Sequence, residues 1–156
     1  MHNHDTSKVD KNLLEEVCLL LKDYPDANRF VIEYRKYIHM IDDLIDNPLR
    51  PIPEEILAMA AQASYVFSLP FYIQHASLLF LVEQMINNTY ADSVEWEIIN
   101  NSAWQQSDAG VLRHAGIDMF FAVILITNGR EALRKISSKF RTHTHLLHMD
   151  ENMKAV

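Results

Sequence analysis

Two stretches decide the fold: "SLPFYIQHASLLFLV" at residues 68–82 and "AGIDMFFAVILIT" at residues 115–127. Both are greasy, but neither reads as a membrane span. The second is too short and contains Asp118, and the first carries Pro70, Gln74 and His75. Both read as buried helices of a soluble protein. A helix apolar on most of its circumference has to lie against several others, and antiparallel helices in a bundle are the economical way to arrange that.

The rest of the chain agrees. Of 156 residues, 49% are apolar and 22% charged, which is the balance of a globular domain. Three glycines (110, 116 and 129) and five prolines are too few for a turn-rich β fold. The spacing predicts a first helix over about 10–23 and a second over about 27–47, the latter stopped by "NPLRPIP". Pro53, followed by Glu54 and Glu55, opens a third. Pro70 opens a fourth that runs to about 86. "NNTYAD" at 87–92 reads as a loop, and Asp92 with Glu95 as the capping box of a fifth helix. A last helix covers about 109–140, after a break near Ser107 and Gly110 that leaves five or six helices in all. The expectation is a single all-α domain over 1–156, a bundle of mostly antiparallel helices, with 1–9 and 142–156 as tails.

A net charge of −7 argues against non-specific nucleic-acid binding, which needs clustered cations. Cys18 is the sole cysteine, so no internal disulfide and no CxxC zinc site exist, and a reducing compartment is the natural setting. The polar opening "MHNHDTSKVDKN" shows no signal peptide. The expectation from these readings is a cytoplasmic protein that does not engage membranes.

Chemistry concentrates in "MIDDLIDNP", residues 40–48, where three aspartates occupy five positions near a helix end. Asp42 and Asp46 lie four apart on one edge of the helix, with His39 within a turn of both. Such a pair can converge on a hard cation, Mg²⁺ or Mn²⁺, that prefers oxygen ligands. Arg35 would be a counter-charge or an anion contact. The alternative is a solvated helix end, although acids there oppose the helix dipole.

"DDLID", Asp42 to Asp46, resembles the DDxxD motif of the class I isoprenoid (terpenoid) synthases, an all-α family. The resemblance implies that Asp42 and Asp46 bind Mg²⁺ and that the metal holds a substrate diphosphate. It covers five residues. The chain is about half the length of that fold, and the second metal motif is absent: "NNSAWQQSD" places Trp104 where a hydroxyl residue belongs. "DLID" is also similar to one carboxylate pair of the all-α nucleotide pyrophosphatases, without a clear second pair.

Asp118 is the lone charge of its apolar run, and His114 lies one turn before it. A buried carboxylate needs a partner or a raised pKa, so His114 and Asp118 are candidates for acid–base work, with a local ion pair as the plainer reading. His75 sits on an apolar face and reads as a satisfied core residue more readily than as a ligand. If the second, fourth and last helices are neighbours, His39, Asp42, Asp46, His75, His114 and Asp118 line one pocket. The basic run Arg130, Arg134, Lys135, Lys139 and Arg141 reads as a solvated helix end. No phosphate-cradling glycine loop and no GxSxG occurs. Two functions follow. One is an acidic, histidine-containing pocket for a divalent cation and a phosphate or diphosphate ligand. The other is a non-catalytic helical scaffold that acts as a homo-oligomer.

Overall fold

A computed structural model describes the backbone of residues 6–46, 52–98, 112 and 114–153. Within those residues the chain is all-α and contains no strand. The elements are α1 (Thr6–Leu20), α2 (Pro25–Asp46), α3 (Pro53–Val66), α4 (Pro70–Gln74), α5 (Ala76–Ile98), a 3₁₀ turn (His114–Gly116) and α6 (Ile117–Met153). Helix therefore reaches into both stretches read as tails.

Proline starts three of these helices. Pro25, Pro53 and Pro70 each occupy a first turn, where the missing N–H costs nothing, and Asp26, Glu54 and Glu55 sit near the positive ends of α2 and α3. α2 is the spine: α3, α4 and α6 all pack against it, and α1 lies across α6. Phe30 and Tyr34 of α2 are fully buried. Phe30 packs against Phe71 and Tyr72 at ring distances of 5.9 Å, and Tyr34 meets Phe120 of α6 edge-on at 6.4 Å. Leu13 and Val17 from α1, Leu21 in the turn just after it, and Met119, Val123 and Ile124 from α6 complete this core.

Two boundaries differ from the sequence reading. The expected loop at 87–92 and the helix start at Asp92 do not exist, because α5 runs unbroken through both. Asn88, Thr89 and Asp92 are weak helix formers, but Ile86, Tyr90 and Ser93 keep the buried stripe in phase. The local polar groups are also satisfied on the helix: Thr89 Oγ1 donates to the Met85 carbonyl at 2.9 Å, and Asn88 donates to Asp92 at 3.2 Å. Tertiary burial outweighs propensity here. The real break comes earlier, at His75, whose φ of −114° and ψ of 20° end α4. The expected break near Ser107 and Gly110 lies outside the described residues.

α6 is bent at Gly129, where φ is +82° and ψ 179°. Only glycine adopts that region without strain. Beside the bend, Asn128 donates to the Leu20 carbonyl at 3.2 Å and so caps the end of α1. Gly116 has a different task. A Cβ there would stand 3.2 Å from Ile38, so its bareness lets the 3₁₀ turn close onto α2.

Candidate functional site

The aspartates of "DDLID" ride the last turns of α2, as the sequence predicts. Asp42 is partly buried, while Asp43 and Asp46 are exposed. Oδ1 of Asp42 accepts a hydrogen bond from the Tyr90 hydroxyl of α5 at 3.3 Å. That bond ties the end of α2 to α5 beside an open cleft of about 550 Å³. The cleft walls are Ile38, Ile41 and Ile45 on one side and Tyr90, Ala91 and Val94 on the other, with Asn87 and Glu95 as polar edges. Their spacing by three and four follows the helix period, so each helix offers one ridge to the cleft.

The other expected site residues hold contacts of their own. Asp118 does have a partner, but it is Arg141 and not the expected His114: Arg141 donates to Oδ1 of Asp118 at 2.8 Å and also stands over the Phe121 ring at 5.4 Å. The apolar run leads one to expect a buried carboxylate, yet the Asp118 side chain is 49% exposed. α6 turns it to the edge of the bundle, so no costly desolvation arises, and an exposed pair of this kind is worth under about 1 kcal/mol. His75 packs its ring against Phe71 at 4.7 Å. Arg35, His39, Asp46 and His114 each hold a polar, ionic or ring contact. Among the described residues, no group of three or more His, Cys, Asp or Glu side chains is arranged to hold a metal ion. The single pocket expected from His39, Asp42, Asp46, His75, His114 and Asp118 is thus not gathered around a metal-sized centre.

The basic end of α6 is engaged as well. Lys135 pairs with Glu131 at 3.0 Å and Lys139 pairs with Glu16 of α1. Cys18 is partly buried, and burial pushes its thiol above the ordinary range, away from reactivity.

One group was missed in the sequence. Glu83 of α5 is buried, 4% exposed, and its Oε2 accepts a hydrogen bond from the Tyr34 hydroxyl at 2.6 Å. Burial pushes this carboxyl above the usual carboxylate range, while the bond from Tyr34 and the nearby Asn87 amide pull it back. Oε1 is buried and outside hydrogen-bond geometry with any described group. Burial, and then the charge of Glu83, raise the phenols of Tyr34, Tyr37 and Tyr72, most strongly Tyr34. The signal was legible: Leu79, Ile86 and Tyr90 lie at −4, +3 and +7 from Glu83 and mark the core face.

A further feature of α5 is what remains uncovered. Leu78 (44% exposed), Leu81 (59%) and Met85 (70%) form a stripe on its outer side, and Phe80 is 53% exposed nearby. No helix among the described residues is long and apolar enough to cross a membrane. No protein-family model, curated protein or solved structure matches the chain at a significant level.

Proposed function

We propose that this protein is a cytoplasmic, non-catalytic helical module that self-associates through the outer face of α5. The observation that carries the reading is the stripe Leu78, Leu81 and Met85. A helix apolar nearly all round is stable when covered on several sides, and among the described residues the core covers the side bearing Leu79, Glu83, Ile86 and Tyr90. A second copy is the occupant that charge favours. From Val66 to Ala91 the only Asp, Glu, Lys or Arg is Glu83, which points inward. The chain carries −7 overall, so two copies repel elsewhere but meet here at little electrostatic cost. An isologous two-fold contact sets the same patch against itself and suits a neutral, apolar stripe.

Sedimentation velocity on untagged protein tests this. The expected result is a dimer or larger species that Leu81→Glu or Met85→Glu converts to a helical monomer. A monomer at high micromolar concentration would end the proposal.

A second reading retains the cation. Mg²⁺ keeps most of its water and needs only one or two carboxylates besides phosphate oxygens. The Tyr90 bond orients Asp42, and Asp46 follows one turn later. In this reading Asp42 and Asp46, with His39 beside them, hold Mg²⁺ or Mn²⁺ and a phosphate or diphosphate ligand, Arg35 contacts the anion, and His114 and Asp118 stand by for proton transfer. Its test is the melting temperature in EDTA against millimolar Mg²⁺ or Mn²⁺, with and without pyrophosphate. A cation at about 100 times its dissociation constant adds roughly 2.7 kcal/mol, and Asp42→Asn should abolish that gain. No shift would remove this reading.

A further inference from the structure

The cleft between α2 and α5 has a chemistry that neither reading uses. Its volume, about 550 Å³, is in the range of small-molecule sites. Three isoleucines, Ile38, Ile41 and Ile45, face Tyr90, Ala91 and Val94 across it. Among the described residues no cationic side chain lines it. Its charged lining residue is Glu95, exposed at the rim. The Tyr90 hydroxyl is engaged with a second carboxylate, that of Asp42, at 3.3 Å. Among the described lining residues, an anion entering this cleft would meet the Glu95 carboxylate and no counter-charge. A purely apolar molecule would fill it without orientation. A cation with an apolar body satisfies both walls and rim.

We propose that the α2–α5 cleft binds a small amphipathic amine. The apolar body packs between the isoleucines and Val94, and the protonated nitrogen stands at Glu95. The cleft lies at the far end of α5 from Leu78 and Leu81, so this inference does not depend on self-association. It also differs from the Mg²⁺ reading in needing no phosphate.

The test compares three probes that share one body: 4-phenylbutylammonium, 4-phenylbutan-1-ol and 4-phenylbutanoate. Calorimetric titration uses the full untagged chain in EDTA at physiological salt. The amine should bind roughly three- to fivefold more tightly than the alcohol, the increment of a solvent-exposed ion pair, and the carboxylate more weakly than either. Glu95→Gln should bring the amine down to the alcohol's affinity. Because Glu95 is exposed, this variant keeps the fold, which circular dichroism verifies. Ala91→Phe should block all three probes by filling the cleft. Equal affinities for amine and carboxylate, an amine affinity unmoved by Glu95→Gln, or no binding of any probe would each overturn the proposal. A carboxylate that gains affinity when Mg²⁺ replaces EDTA would support the cation reading instead, without rescuing this one.

Discussion

Asp42, Asp43 and Asp46 crowd the end of α2, and at least Asp43 and Asp46 stand in water. Glu83 stands alone in the apolar middle of α5, and the bundle closes over it. The crowded acids draw the eye in the sequence, while the solitary one is easily passed over. Physically their weights are reversed. Acids collect where water already pays their solvation, so a cluster at a helix end constrains little. A single acid amid apolar residues is placed by the helix phase alone. When that phase points inward, it must recruit a donor, here Tyr34.

The contrast can be broken most forcefully at its buried end. Tyr34→Phe keeps the ring against Phe30 and Phe120 but leaves Glu83 without its donor. A loss of about 2–3 kcal/mol is expected in urea unfolding, the cost of stranding a buried charged acceptor. A loss within experimental error would mean that Glu83 is better solvated than its burial indicates.

The next effect is a pH dependence. The Glu83 carboxyl is raised in the folded state. Its contribution to stability is therefore full below the ordinary carboxylate range and is lost as pH rises through the raised value. Glu83→Gln removes this loss, so the variant should gain on the wild type as pH rises from the ordinary carboxylate range through the raised value, and no further above it. Parallel stability curves would sink the assignment. Glu33 provides the opposite sign. Hydrogen bonding from Lys36 is the largest influence on its lowered carboxyl, so its contribution is present above the ordinary range and fades as pH falls through the lowered value. Glu33→Gln should soften the acid limb of the curve and leave the neutral side alone.

The exposed end should respond least. Asp42→Asn weakens one bond to Tyr90 and should cost about 1 kcal/mol or less. Asp46→Asn should stay within about 0.5 kcal/mol, as expected of an exposed position. A large loss at Asp46 in chelator-free buffer that disappears in EDTA would sharpen the contrast in another way, by giving the cluster a bound ion.

Much of the fold is legible from local chemistry. Pro53 and Pro70 start helices because proline suits a first turn, and the apolar spacing of α2 buries Phe30, Tyr34 and Tyr37 on one face. The boundaries of α4 and α5 were less legible. Weak helix formers at 87–92 suggest a loop when read alone, but the packing of Ile86, Tyr90 and Ser93 holds them in a helix. Asp118 also misleads, since its run of apolar neighbours implies burial and only the rotation of α6 exposes it beside Arg141.

By itself, then, the sequence determined an all-α bundle, the proline starts of α3 and α4 and the shared edge of Asp42 and Asp46, because these depend on period, capping and covalent geometry over a turn or two. The tertiary structure alone decided that Tyr34 and Tyr90 serve Glu83 and Asp42, and that the side of α5 bearing Leu78, Leu81 and Met85 stands exposed. Those outcomes depend on which helices become neighbours. Residues 48 or 49 apart in the chain meet there, and no local preference encodes that meeting.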